Sequence, residues 1–325
     1  MIEDPFKLRD IFAPHEGRRR NDLIKFGRRL IHYTSATNAL SIFRNNTVWM
    51  RNVRCMNDYM EVEHGFQLMQ HSLETPVDSE TEKGLLAVKA TLEKFLPGLF
   101  NEVAGRFNGW LPALRHKTFV TCLSEHDQSE NDLGRLSMWR SYSSSQVGIG
   151  LVINPFPLYS LTESFGAFSS PVFYYDDQNL RDMLLEVSRN IEANREYLLS
   201  REKEEIIGYL FLVLRSVAMC TKHPGFHEEK EWRIMHTQDL DAQGALTLDV
   251  ESVNGVLQPV FKIPLKDHTA SGMLGISIPD ILERVIIGPT QFPLAVYDAL
   301  LIELERIGVK DPAAKVVYSN IPLRT

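Results

Sequence analysis

The sequence has few cysteines, no long apolar run and no excess of positive charge, and each absence excludes a class of protein. Three cysteines among 325 residues are widely spaced, at Cys55, Cys122 and Cys220, and form neither a zinc-binding spacing nor a disulfide framework. No stretch approaches the ~18 uninterrupted apolar residues of a membrane span. The N-terminus, MIEDPFKLRD, lacks the features of a secretory signal. We therefore expect a cytoplasmic protein with no membrane partner.

The charge balance argues against a protein that coats duplex DNA by charge alone. Basic residues number 35 and acidic residues 42, which gives a formal net charge of −7. One basic cluster nevertheless lies near the N-terminus, at Arg18, Arg19 and Arg20. We predict that residues 1–28 form a polar, basic N-terminal arm, which is either solvated or in weak contact with a nucleic acid.

Several familiar catalytic and binding motifs are also missing. The chain has no GxxxxGK[ST] phosphate loop, no GxGxxG after a strand, no GxSxG and no HExxH. His64 and His71 lie on one face of a predicted helix, but no third ligand accompanies them, so we expect no metal site.

What is present is a chain rich enough in apolar residues (44%) to fold around a large core. Apolar and β-branched runs predict strands, among them Leu30–Thr34, Lys117–Ser124 and Lys230–His236. Ser35 is positioned to cap a helix over Ala36–Asn45. We predict a single α+β domain over residues 29–325, with helical insertions near 59–115 and 178–221.

Two polar segments occupy positions where packing would favour apolar residues. His32 and Thr34 end a predicted strand, where they either satisfy local structure or face a cleft and bind a sugar hydroxyl. Trp139 and Tyr142 lie three residues apart on a predicted helix, so they share a face. That pair is either core or a platform for a planar ring, with neighbouring serines and Arg140 supplying polar contacts.

The most informative segment is KHPGFHEEKEWR at residues 222–233. In a strand, Glu229, Glu231 and Arg233 would lie on one face, with Lys230 and Trp232 on the other. This face is either merely solvated or carries two carboxylates that act on one ligand. In the second case, one carboxylate would stabilise an oxocarbenium-like centre and the other would deprotonate an acceptor.

These segments together resemble the bacterial domain-of-unknown-function family 2971. The resemblance spans about residues 30–290. The pieces that carry it are HYTS with its following helix (32–43), NVRCMND (52–58), CLSE (122–125), LSMWRSYSSSQVGIGL (136–151), KHPGFHEEKEWRI (222–234) and VIIGP (285–289).

That family in turn is similar to the ADP-ribosyltransferase superfamily, through an early strand His, a serine-rich middle segment and a late strand Glu. The resemblance implies two small sheets around a central cleft that binds NAD as the substrate, without a metal. It implies that Glu231 stabilises the ribosyl cation, Glu229 activates the acceptor and His32 holds the nicotinamide-side ribose. The further NAD-binding residues that it implies are Tyr33, Thr34 and Ser143, with Tyr142 or Trp139 stacking on the nicotinamide. From charge alone, we expect Arg51 or Arg140 to contact the pyrophosphate.

The leading hypothesis is therefore an NAD-dependent ADP-ribosyltransferase with an unknown acceptor (protein, nucleic acid or small molecule), in bacterial defence, a toxin system or stress regulation. Two other hypotheses stay open. One is a non-catalytic nucleotide or nucleic-acid binding module that uses Arg18–Arg20 with Trp139 and Tyr142. The other is a hydrolase that uses the same carboxylates, either an NAD glycohydrolase or a metal-dependent nuclease with Asp58 and Glu61 as further ligands.

Overall fold

A computed structural model of the chain describes residues 6–56, 60–73, 84–142, 147–155, 166–253, 255–267, 269 and 274–322. The helices are Lys7–Phe12 (α1), Pro14–Lys25 (α2), Ala36–Asn45 (α3), Met60–His71 (α4), Gly84–Glu93 (α5), Leu99–His116 (α6), Leu136–Tyr142 (α7), Asp177–Ala193 (α8), Arg195–Leu199 (α9), Lys203–Cys220 (α10), Ile278–Ile281 (α11), Pro293–Arg306 (α12) and Pro312–Lys315 (α13). Short 3-10 helices lie at Val53–Cys55, Gln128–Glu130 and Pro224–Glu229.

The strands are Arg29–Ser35 (β1), Thr47–Asn52 (β2), Thr118–His126 (β3), Gly148–Ile153 (β4), Phe168–Pro171 (β5), Phe173–Tyr174 (β6), Thr221–Lys222 (β7), Glu231–Thr237 (β8), Thr247–Val253 (β9), Val256–Pro264 (β10), Leu282–Ile287 (β11) and Val316–Tyr318 (β12). The combination of helices with a large sheet confirms the α+β class.

The chain divides into two compact units, which differs from the single domain predicted over residues 29–325. The first unit comprises Met1–Asp22, Val53–Lys117 and Ser170–His227, and the second comprises Leu23–Asn52, Thr118–Ser169 and Glu228–Thr325. The predicted insertions near 59–115 and 178–221 are indeed largely helical. They differ from the prediction in that they belong to one unit of their own.

The first unit includes the N-terminal segment, which is not a solvated arm. Leu8, Ile11 and Phe12 are buried on α1, so this segment contributes to a core. α4 and α10 lie against each other so closely that a methyl group on Gly65 would overlap the carbonyl of Ala218. Helix packing therefore dominates this unit, with β6 and β7 as its short two-stranded sheet.

Within the described residues, ten strands form one sheet, in which the order β12-β11-β4-β1-β3-β2-β10-β9 is joined by β8 and β5 off this path. β8 pairs with β3 from Thr118 to Ser124 and so occupies one edge of β3. β1 and β2 must therefore share the other edge. β1 pairs there opposite residues 124–126, and β2 pairs opposite residues 119–120.

The sheet consequently forks along β3, between the positions where β1 and β2 pair with it. One arm continues through β4, β11 and β12, and the other continues through β10 and β9. This arrangement differs from the two small sheets expected from the resemblance, because the two arms remain joined through β3.

The two faces of the forked sheet have different chemistry. One face carries the main core of the second unit, in which Leu30, Leu123, Trp232 and Phe261 are buried together with residues of α3 and α12. The other face carries a smaller apolar cluster beneath α7, which includes Ile31, Tyr33 and Trp139, and beside it a set of polar side chains. None of the helices in the described part of the chain is long and apolar enough to cross a membrane.

Candidate functional site

Glu231 and Arg233 form a buried ion pair at the start of β8. The Arg233 Nε atom donates to Glu231 Oε1 at 2.8 Å, and the two residues are 3% and 5% exposed, respectively. Residues i and i+2 of a strand share a face, which explains why these two side chains meet. A carboxylate that is hydrogen-bonded to a guanidinium is held in one orientation.

The register of the sheet extends this polar set across β3 and β2. Ser124 lies opposite Glu231, Cys122 lies opposite Arg233, and Arg51 lies opposite Val120. Directly opposed residues in antiparallel strands point to the same side, so Arg51, Ser124, Glu231 and Arg233 share one side of the sheet. We call this side the Glu231 face.

His32 does not join Glu231, and the prediction that they converge in one pocket is wrong. Ile31 lies opposite Ser124, so its neighbour His32 points to the other face of the sheet. The ring Nδ1 of His32 lies 3.0 Å from the carbonyl oxygen of Cys122. Burial lowers the pKa of His32, so the ring stays neutral there. His32 therefore bonds the edge of β3 at the fork, which is a structural role.

Glu229 also departs from its predicted place on the face of Glu231. It ends a 3-10 helix, and β8 begins only at Glu231. Between them, Lys230 has a φ of 44°, in the left-handed region that favours glycine. The regular alternation of a strand therefore does not reach Glu229, and what it contributes here is its backbone carbonyl.

Arg135 binds that carbonyl, and sequence reasoning missed this residue altogether. Its Nη1 donates to Glu229 O at 3.0 Å and to Ser124 Oγ at 2.6 Å, and its Nη2 donates to Glu125 O at 2.8 Å. Nε and Nη2 also donate to the two carboxylate oxygens of Glu130, both at 3.0 Å. All five N–H groups of the guanidinium are thus hydrogen-bonded.

Trp139 is part of the core, so the expectation that it forms an open platform for a planar ring is wrong. Its side chain is fully buried, and Nε1 donates to the carbonyl of Leu133 at 2.8 Å. The ring of Tyr33 meets it edge-on, with centroids 4.9 Å apart. The Tyr33 hydroxyl accepts from the backbone N–H of Arg135, and burial raises its pKa to about 12. Both aromatic residues therefore serve packing.

The remaining predicted NAD-binding residues are dispersed. Arg140 and Tyr142 are exposed on α7, which packs beside β1. Thr34 is buried on the same sheet face as His32, away from Glu231. Ser143 lies outside the described residues, as does Asp58. Of the predicted set in the described residues, Arg51 shares the polar part of the Glu231 face, whereas Tyr33 and Trp139 lie on that side of the sheet within the apolar cluster beneath α7.

Two further side chains belong to this face and were not singled out from the sequence. Trp49, two residues before Arg51, is half-buried. Gln258 is buried on β10 and accepts from the Nε of Arg51 at 3.2 Å. The alternation of β2 would have placed Trp49 beside Arg51 once that strand was recognised, whereas the Gln258 contact joins residues 207 positions apart.

The basic cluster of the N-terminal segment is engaged within the first unit. Arg18 makes two hydrogen bonds with Glu186, at 2.6 and 3.0 Å, and Arg20 bonds Glu16 at 3.2 Å. Arg19 reaches the carbonyl of Val172 at 3.4 Å. These contacts give the cluster a structural function in holding α2.

The described residues contain no group of three or more His, Cys, Asp or Glu side chains arranged to hold a metal ion. Asp58, one carboxylate considered for a nuclease, lies outside those residues, and the same holds for the side chain of Glu61. Beside Glu231 the polar side chains are arginine and serine, and Asp249, Glu251 and Lys262 lie farther along the same side of the sheet on β9 and β10.

These features define an α+β chain with a forked sheet and a polar face that is centred on one buried carboxylate. Comparison with known families gives a match over residues 138–234 to the family described as protein of unknown function (DUF2971). Residues 138–234 are thus similar to this family, and the matched stretch runs from α7 into β8, where it includes Glu231 and Arg233. The chain has no significant match among curated proteins or among solved structures.

Proposed function

We propose that the chain is an NAD-consuming enzyme of ADP-ribosyltransferase type, and that Glu231 is its catalytic carboxylate. The observation that carries the proposal is the buried pair of Glu231 with Arg233, beside Ser124 and on the same face as Arg51. The proposal also rests on the order of motifs in the sequence.

The reaction mainly requires a negative charge of the protein beside the ribosyl centre. The bond between C1′ of the ribose and the nicotinamide nitrogen breaks, and both electrons go to the nitrogen, which neutralises the pyridinium charge. The cationic ribosyl centre left behind is stabilised by the Glu231 carboxylate. A lone pair of the acceptor then forms the new bond to C1′, and the proton of the acceptor passes to water.

The neighbouring side chains suit the rest of the NAD molecule. Arg233 holds the carboxylate in one orientation, because its Nε atom lies 2.8 Å from Oε1. Arg51 supplies a guanidinium for the pyrophosphate. Trp49 lies on the same side of the sheet and offers a half-buried aromatic ring on which a base can stack. We therefore replace Trp139 by Trp49 in this role.

The acceptor is either water or a macromolecule, and the two outcomes share the same first step. A glycohydrolase and a transferase both release nicotinamide, and they differ only in whether ADP-ribose appears free or attached. No disulfide joins the three cysteines in the described residues, and a cytoplasmic location is part of the proposal.

The test is nicotinamide release from NAD by the purified protein, with and without a cell lysate as a source of acceptors. We expect release by the wild type and loss of about 100-fold or more in Glu231→Gln. Glu303→Gln is the matched control, because Glu303 is also 5% exposed and is paired with Arg44 and Arg306. Wild-type protein that releases no nicotinamide under either condition would contradict the proposal.

A further inference from the structure

Arg135 joins four separate segments of the second unit around the start of β8. Its backbone N–H donates to the hydroxyl of Tyr33 on β1 at 2.9 Å, and its guanidinium reaches Ser124 on β3. It also holds Glu130 in the 3-10 helix and the carbonyl of Glu229. The side chain is 11% exposed, so these bonds form largely away from water.

The segment that Arg135 holds has an unfavourable backbone conformation. Lys230 has a φ of 44°. This left-handed conformation costs free energy for a lysine, so it persists only where the surrounding structure imposes it. Two donors meet at the preceding carbonyl, since both Ser124 Oγ and Arg135 Nη1 bond Glu229 O. On the other side, the carbonyl of Lys230 accepts from the backbone N–H of Glu125 at 2.9 Å.

The left-handed residue decides where β8 begins and therefore which way its first side chain points. A left-handed residue bends the chain, so the conformation of Lys230 sets the direction in which the chain enters β8 at Glu231. Glu231 is buried and must lie within hydrogen-bond distance of Arg233. A small change in the direction of the backbone at the start of β8 would therefore break this pair.

We propose that Arg135 is a positioning residue for the reaction assigned to Glu231, and that it acts by holding the Glu229–Lys230 turn against β3. The effect of Arg135 on catalysis rests on the proposed function. Its role in holding the Glu229–Lys230 turn rests on the geometry alone. Arg135 itself touches no reacting atom.

The catalytic test compares Arg135→Lys and Arg135→Gln with the wild type in nicotinamide release. We expect kcat to fall about tenfold or more while KM for NAD changes less than about twofold, because the lost bonds align the carboxylate and do not bind substrate. Lysine keeps the charge but cannot make the five-bond pattern, so it should recover only a small part of the activity. Arg44→Lys is the matched control, since Arg44 also pairs with a buried glutamate of this unit.

The structural test is hydrogen exchange at the amide of Glu125, which bonds Lys230 O. We expect exchange to rise about tenfold or more in both Arg135 variants and to stay unchanged in Arg44→Lys. If the wild type releases no nicotinamide, the proposed function falls, and the exchange result still decides whether Arg135 holds the turn. Wild-type kcat in Arg135→Gln, or unchanged exchange at Glu125, would overturn the inference.

Discussion

At the scale of single residues, the buried pair of Glu231 and Arg233 separates this site from an ordinary charged surface. Surface ion pairs contribute little, because water screens them and their side chains stay mobile. Here both partners are almost fully buried, so removal of one leaves the other without its counter-charge. Arg233 variants should therefore lose stability, and Glu231→Gln should lose less, because glutamine loses the charge but keeps an oxygen that can accept from Arg233.

The packing around Trp139 gives a second prediction at this scale. Gly134 has a φ of 65°, and a Cβ atom there would lie 2.5 Å from the Trp139 ring. We expect Gly134→Ala to destabilise the protein by more than about 1 kcal/mol, through both backbone strain and overlap.

Gly105→Ala is the control for that substitution. Gly105 lies in α6 with open space around it and a helical backbone, so alanine should stabilise the protein by about 0.5–1 kcal/mol. Urea unfolding of both variants measures the change in the free energy of unfolding, which should fall for Gly134→Ala and rise for Gly105→Ala. Equal effects at the two positions would show that Trp139 is not packed as described.

His126 gives a prediction about pH. The residue is 1% exposed, its Nε2 lies 2.9 Å from Asn131 Oδ1, and its Nδ1 has no hydrogen-bond partner among the described residues. Burial lowers its pKa, against the hydrogen bond to Asn131 and the charge of Glu130, which raise it. The unfolded chain therefore takes up this proton first, near the ordinary pKa of about 6.5.

The sign follows from that difference in proton uptake. The contribution of His126 to stability is complete above the unfolded pKa and is lost as the pH falls below about 6.5 toward the lower folded pKa. We expect His126→Gln to lose less stability than the wild type between pH 7 and pH 5 in urea titrations. The exposed His227→Gln should follow the wild type, and parallel curves for all three proteins would refute the assignment.

At the scale of secondary-structure elements, the connection from β1 to β2 builds the fork. Ser35 ends β1 and caps α3, where its Oγ accepts from the N–H of Asn38 at 3.2 Å. We expect Ser35→Ala to cost about 1 kcal/mol in thermal or urea unfolding, because a helix N–H loses its acceptor. Ser41→Ala, inside the same helix, should change stability by less than about 0.5 kcal/mol. A larger loss at Ser41 than at Ser35 would show that the cap is not what holds α3.

Local elements were the part of the fold that the sequence could predict. The strand at residues 30–34, the Ser35 cap and the helix over 36–45 all appear, because their signals lie within a few neighbouring residues. The fork could not be predicted in the same way. It arises because β1 and β2 pair with different parts of the same edge of β3. These pairings join strands that are far apart in the sequence, and no local signal specifies them.

The candidate site shows the same limit more sharply. The Glu231 and Arg233 pair follows from simple alternation and was predicted as a shared face. Glu229 was placed wrongly, because the left-handed Lys230 interrupts that alternation. Arg135 was missed because its partners Glu229 and Tyr33 are 94 and 102 residues away.

At the scale of the whole molecule, the chain combines a helical unit with a unit built on the forked sheet. Every residue assigned to the reaction lies in the second unit. The basic cluster at Arg18–Arg20, by contrast, lies in the first unit and is bonded within it. This division favours a site on the sheet over nucleic-acid binding through the N-terminal segment.

The most direct test of the central claim is a crystal structure of the Glu231→Gln protein with NAD bound. We expect NAD on the Glu231 face, with a hydroxyl of the nicotinamide ribose within about 3.2 Å of the side chain at position 231. We also expect the pyrophosphate near Arg51. NAD bound elsewhere on either unit, or no NAD at saturating concentration, would refute the assignment of Glu231 as the catalytic carboxylate.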